Sequence, residues 1–242
     1  MKIEFTCQVP KDMANPEFNE DIYRIDIDRS LIVLCDGASE SFDSKTWAVN
    51  LADKFLIEQD INHAWINDAI SRYNELFDYS KLSWSKQAAF ERGSFSTLLG
   101  ITYSEPDNVI EMTGIGDTVA ILINNNEIID SFPYTSAEEF LNHPELLSTN
   151  LEQNSFLYSS NQLVQYKKAW NIERNKNLHI LLMTDALAEW LFRNWLIDRS
   201  ILTKLIDIND EMEFEKLVLA ERSAKNMKTD DSTLIKLWFK DE

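Results

Sequence analysis

The sequence predicts an α+β protein in which antiparallel sheets pack against helices, and three observations carry that prediction. Strand-like stretches come first, then two helical stretches, a run of strands, more helices and one last strand, so the elements are segregated rather than alternating. Tight-turn sequences separate neighbouring strand stretches, as in hairpins. Apolar residues make up 44% of the 242, enough to bury a sizeable core.

Lys2 to Val9 alternates weakly, and Pro10 ends it as a strand. Residues 11–18 are polar and broken by Pro16, which reads as a loop. Ile22-Tyr23-Arg24-Ile25-Asp26-Ile27 alternates as a strand, and Asp28-Arg29-Ser30 turns it into Leu31-Ile32-Val33-Leu34-Cys35. That second run is apolar without alternation, as in a strand buried on both faces. The resulting hairpin sets Asn19-Glu20-Asp21 at the same end as Asp36-Gly37. From Ser44 the period turns helical. Trp47, Leu51, Phe55 and Leu56 mark one helix, and Trp65, Ile66, Ala69, Ile70 and Tyr73 the buried face of a second over 61–77. After a polar join, residues 95–103 are rich in β-formers, and three more strands follow through Phe132, with Asn124-Asn125-Asn126 as a hairpin turn. Residues 133–176 read as an irregular insertion over one face, with one short helix at about 136–141. Helices are expected over 186–195, 199–206 and 211–225, then a strand over 233–239. No repeat, linker or charge block marks a boundary, so 1–242 is expected to be a single domain.

A net charge of −18 argues against nucleic acid or an anionic membrane as partner, because both are polyanions. Cys7 and Cys35 are the only cysteines, too few and too scattered for a disulfide scaffold, and a reducing cytoplasm is the expected compartment. No apolar run is long enough to cross a bilayer, and no signal-peptide pattern is present. Phosphate loops, dinucleotide fingerprints and nucleophile elbows are missing, and His63, His143 and His179 stand isolated.

The chemistry lies in acids at strand ends. The run Leu31 to Cys35 stops at Asp36-Gly37, a second run from Leu178 to Thr184 stops at Asp185, and a third leads into Gly114-Ile115-Gly116-Asp117. Thr229-Asp230-Asp231 stands just before the last strand. Any one of these acids could simply cap a helix or close a turn. Brought together at one sheet edge, they would make an oxygen-rich site suited to magnesium or manganese rather than zinc.

In order along the chain, these stretches resemble the motifs of the metal-dependent protein phosphatase 2C family. Asn19-Glu20-Asp21 is similar to its early acidic motif, Leu34-Cys35-Asp36-Gly37 to its Asp-Gly motif, and Gly93-Ser94 with Thr97 to its Gly-Ser-Thr strand start. Gly116-Asp117-Thr118 resembles its Gly-Asp-Ser, Thr184-Asp185-Ala186-Leu187 its Thr-Asp-Gly-Leu, and Asp230-Asp231-Ser232-Thr233 its closing Asp-Asn/Asp-x-Thr. Each motif is weak alone, whereas six in order are specific. The resemblance implies a central antiparallel β-sandwich flanked by helices, in α/β/β/α layers, with two manganese or magnesium ions at one end. By analogy Asp36 bridges both ions, the carbonyl of Gly37 binds one, and Asp185 and Asp230 bind the other. Those three aspartates would be the catalytic residues, acting through a metal-activated water that attacks phosphorus directly. Glu20 and Asp21 would hold metal-bound water. A third ion would use Asp117, with Glu189 as helper.

The implied function is a serine/threonine phosphoprotein phosphatase of the cytoplasm, acting opposite a cognate kinase in signalling. The alternative is a weak or inactive relative that binds a phosphoprotein or other regulator. Two departures bear on the choice. Pro16 stands where the family has a phosphate-gripping arginine, which leaves Lys11 or Arg92 as candidates for that task, and Ala186 replaces the glycine of Thr-Asp-Gly.

Overall fold

The computed structural model describes residues 1–158, 163–172 and 178–239. Strand β1 (Lys2–Val9) is followed by the hairpin β2 (Asp21–Asp26) and β3 (Leu31–Asp36). Helices α1 (Ser44–Ile57), α2 (His63–Asn74) and α3 (Trp84–Arg92) come next. Then come β4 (Phe95–Ser96), β5 (Leu98–Ser104), β6 (Val109–Ile115), β7 (Val119–Asn124) and β8 (Glu127–Phe132). The short β9 (Leu147–Ser148) and β10 (Lys167–Asn171) lead to β11 (Leu178–Met183). Helices α4 (Asp185–Trp195), α5 (Ser200–Asp207) and α6 (Glu211–Ser223) precede the last strand, β12 (Ser232–Phe239).

Two five-stranded sheets form, ordered β1-β12-β11-β7-β8 and β10-β6-β5-β3-β2, with β4 and β9 as a separate pair. Every pairing is antiparallel. The architecture is the expected α/β/β/α sandwich, and the apolar runs explain it. Leu31, Val33 and Cys35 of β3 face Trp47, Leu51, Trp65 and Ile66 of α1 and α2, while Ile32 and Leu34 face the second sheet. In β11, Leu181 and Met183 pack under α4 and α5, while Ile180 and Leu182 face inward. A strand covered on both sides has no polar face to show, hence the missing alternation. Local signals hold the helix starts: Asp43 accepts from Thr46 N (3.0 Å), and Asn62 and Asp210 cap α2 and α6 in the same way. At the β7–β8 turn, Asn125 and Asn126 both take positive φ, as a two-residue hairpin requires.

Two stretches differ from expectation. The polar join contains helix α3, none of whose nine side chains is fully buried, so no apolar period betrays it in the sequence. The 133–176 stretch contains β10, an edge strand paired with β6, and Trp170 of β10 is buried between the sheets. Among its other described residues, 3₁₀ turns lie at Ala137–Leu141, Leu151–Tyr158 and Val164–Tyr166. Residues 159–162 and 173–176 of that stretch lie outside the described residues. No helix among the described residues is long and apolar enough to cross a membrane.

Candidate active site

Strand register sets the first part of the site. Asp21 and Asp36 are direct partners across the β2–β3 hairpin, at its open end. The backbone around Asp36 is fixed by Thr97: Thr97 N donates to Asp36 O, and Asp36 N donates to Thr97 Oγ1, each at 2.8 Å. Thr97 Oγ1 also meets Thr118 Oγ1 at 2.6 Å, which ties the Asp117 loop to the same strand end. Gly37 has no room for a side chain, because a Cβ there would lie 2.9 Å from Ser44 Cβ. Gly116 takes φ +98°, and a Cβ would meet the Thr97 methyl at 2.6 Å, so two constraints converge on glycine.

The second sheet supplies the remaining acids. The antiparallel pairing of β11 with β12 matches Met183 to Leu234, so Asp185 after one strand and Asp230 before the other lie at the same end. Asp36, Gly37, Thr97, Asp117, Asp185 and Asp230 line one pocket of about 170 Å³, closed on another side by Pro144 and Leu146. Asp231 lies elsewhere. It is only 3% exposed and accepts from the backbone N–H groups of Lys11 (2.7 Å) and Glu20 (2.8 Å), which binds two loops together.

Asp21 is 2% exposed, and its Oδ2 accepts from Thr233 Oγ1 (2.6 Å) and Thr184 Oγ1 (3.0 Å). Its Oδ1 is buried and meets no hydrogen-bond donor among the described residues. Glu20 is satisfied by Lys11 Nζ, Ser44 Oγ and Ser39 Oγ, and these bonds hold its carboxyl below the usual range despite burial.

The electrostatics show what the acids lack. Burial, followed by repulsion from Asp21 and Asp185, pushes Asp36 well above the usual carboxylate range. Burial also raises Asp21, with Asp231 and Asp185 adding to it against the threonine hydroxyls. Asp117 is pushed up to about 7, first by burial and then by Asp185. Asp230 is raised by burial and by Asp185. Among the described residues, however, no three His, Cys, Asp or Glu side chains converge into a ready-made metal-holding group. Oxygen-only donors, mutual repulsion and an unpartnered buried carboxylate oxygen together fit hard divalent cations held partly through water.

The remaining sequence candidates fall in different places. Lys11 Nζ bonds Glu20 and Ser39 and stands 4.0 Å from Asp230, at the edge of the acidic cluster. Arg92 is exposed and lines the neighbouring cleft of about 850 Å³, which shares Ala38, Pro144 and Leu146 with the acidic pocket. Glu189 pairs with Arg193 one helical turn away (3.3 Å) and does not line the pocket beside Asp117. An i,i+4 arginine competes for it on its own helix.

Two residues escaped the sequence reading. Lys228 Nζ lies 3.5 Å from Asp185 Oδ2. Arg222 donates to Pro10 O (2.7 Å), Val9 O (3.1 Å) and Ser232 Oγ (3.0 Å), and also to Asp230 O, clamping the loop that carries Asp230. Pro10 and Arg222 are 212 positions apart, and no local pattern announces such a clamp.

No protein-family model matches the sequence, and no curated protein matches it significantly. Solved structures do resemble it. A bacterial serine phosphatase aligns over 100% of both chains at 18% identity and a TM-score of 0.59. The photosystem II phosphatase PBCP aligns over 96% of both chains at 13% identity and 0.57. The catalytic domain of the serine/threonine protein phosphatase PstP, solved with two manganese ions, aligns over 91% of both at 15% identity and 0.54. The fold is that of the protein phosphatase 2C-type serine/threonine phosphatases.

Proposed function

We propose that the protein is a metal-dependent phosphatase that hydrolyses phosphoserine and phosphothreonine in proteins. The observation that carries this reading is the convergence of Asp36, Asp117, Asp185, Asp230 and Gly37 on one open pocket at one end of the sandwich. Asp36, the Gly37 carbonyl, Asp185 and Asp230 would hold two manganese or magnesium ions, and Asp117 a third. Such ions, when bound, acidify water and neutralise phosphoryl charge. The protein's own groups do the positioning. Thr97 fixes the backbone of Asp36 from both sides, and Asp231 with Arg222 fixes the Asp230 loop. Asp21, whose Oδ1 meets no donor among the described residues, would accept from metal-bound water, whereas the Glu20 carboxylate is already taken by Lys11, Ser39 and Ser44. Lys11 bonds Glu20 and stands 4.0 Å from the Asp230 carboxylate, where it would support the hold on a phosphate dianion as a point charge. Arg92, in the adjoining cleft, suits contacts with substrate beyond the phosphate.

The physiological setting follows as part of the same proposal: a phosphoprotein substrate of a serine/threonine kinase, in a reducing cytoplasm that keeps Cys7 and Cys35 as free thiols. A second reading is a phosphatase-like binding protein, favoured because, among the described residues, the pocket acids do not form a ready-made metal-holding group. Hydrolysis of a chromogenic aryl phosphate separates the two. Turnover should require manganese or magnesium, stop with chelator, and fall at least about 100-fold in Asp36→Asn without loss of folding. Metal-independent turnover, or an Asp36→Asn protein as active as the parent, overturns the phosphatase reading.

A further inference from the structure

Two lysines stand against the acidic pocket, and they are held very differently. Lys11 is locked in place by Glu20 and Ser39 and is partly buried. Lys228 comes from the loop between α6 and Asp230 and makes no hydrogen bond among the described residues. Its Nζ lies 3.5 Å from Asp185 Oδ2, an ion-pair distance, and its side chain is 50% exposed. Its charge also acts on Asp117, which lines the pocket together with Asp185. Asp185 itself is fixed: it opens α4 and its Oδ1 accepts from Ala186 N at 2.6 Å.

A single positive charge on a flexible stem cannot satisfy several carboxylates, but it does offset their repulsion. It also opposes the approach of any second cation to the same oxygens. Because Lys228 is half exposed and loosely paired, it can swing to solvent at small cost. Resting on the metal-dependent reading above, we infer that Lys228 is a tethered counter-cation that competes with divalent metal for the Asp185–Asp117 side of the pocket. It stabilises the acids when metal is scarce and lowers affinity for the ion bound there. The protein thus carries within its own chain a determinant of the metal concentration at which the site fills.

The test is manganese titration by calorimetry, with melting curves in chelator, on the parent, Lys228→Met and Lys228→Arg. Lys228→Met removes the charge and keeps the stem; Lys228→Arg keeps the charge. Lys228→Met should bind manganese about three- to ten-fold more tightly at low salt, with the gain shrinking as salt rises. It should also melt below the parent in chelator, while Lys228→Arg follows the parent in both measurements. Manganese binding seen only in Lys228→Met would support the inference in its strongest form. Parent-like or weaker binding by Lys228→Met, with the parent still binding, overturns this inference alone. Failure of every protein to bind manganese overturns it together with the phosphatase reading.

Discussion

Lys236 and Asp21 are both ionisable side chains taken almost wholly out of water, and their surroundings could hardly differ more. Lys236 is fully buried beneath the helical layer, in the packing of Phe5. Its ammonium donates to the carbonyls of Ile206 and Ile208 and to Asn209 Oδ1 (3.1 Å). Three protons meet three oxygens, and those carbonyls belong to the C-terminal end of α5, where a positive charge is favoured. Asp21 is nearly as buried at the acidic end, yet one of its oxygens meets no donor among the described residues, and beyond two threonine hydroxyls its charged neighbours are other carboxylates. Burial of charge is tolerated where every lone pair or proton is matched, and costs stability where it is not. Lys236 is therefore part of what holds the fold together. Asp21 is instead a buried carboxylate whose surroundings oppose its charge, a trait of groups at functional sites and of some structural ones.

Substitutions at the two positions should separate these roles. The largest effect is expected at Lys236: Lys236→Met keeps the apolar stem but strands the oxygens at the end of α5. It should cost about 2–4 kcal/mol of unfolding free energy in urea titrations. A loss below roughly 0.5 kcal/mol, the size of an ordinary surface substitution, would show that the three bonds do not stabilise the fold.

Asp21→Asn should act in the opposite direction. It removes a charge from among Asp231 and Asp185 while keeping an acceptor for Thr233 and Thr184. Above neutral pH and with chelator present, stability should be unchanged or raised by up to about 1 kcal/mol, while metal-dependent turnover falls. A loss as large as that at Lys236 would erase the distinction between the two buried charges.

The smallest effect concerns His179, which shares the Lys236 neighbourhood. Glu4 Oε2 lies 3.6 Å from its Nδ1, Lys236 faces the same glutamate at 3.9 Å, and Trp238 stacks on the ring. Burial lowers the His179 pKa from 6.5, Glu4 opposes that shift and Lys236 adds to it. The unfolded chain therefore binds the proton more readily than the folded one between the folded pKa and 6.5. Stability contributed by the neutral ring is present above 6.5 and is lost as pH falls through that window. His179→Gln should remove at most about one proton's worth of slope from the stability–pH curve below 6.5. An unchanged slope would mean that Glu4 holds the imidazolium as well as water does.

The architecture was legible in the sequence because its signals are local. Unbroken apolar runs at Leu31–Cys35 and Leu178–Met183 identify strands covered on both faces, and Trp47, Leu51 and Phe55 identify the helix that covers one of them. Acids at the ends of those runs stood out as candidates because a carboxylate at the mouth of a buried strand needs a reason. Helix α3 escaped because it has no fully buried side chain, Phe90 alone packing in part on the core, and so leaves no period, and β10 because an edge strand of lysines, asparagine and one tryptophan carries little alternation. Apart from α3 and β10, the sequence by itself determined which segments become the main strands and helices, and which residue types stand at the strand ends. The choice of Asp230 over Asp231 already belongs to the sequence motif, whereas only the tertiary structure decided that Asp231 ties two loops together. It alone sent Arg92 to the neighbouring cleft, drew Glu189 to Arg193, and brought Lys228 to Asp185. The physical reason is range: periodicity is set within a few residues, whereas these contacts depend on strand register and loop packing between segments that meet only when the two sheets close on each other.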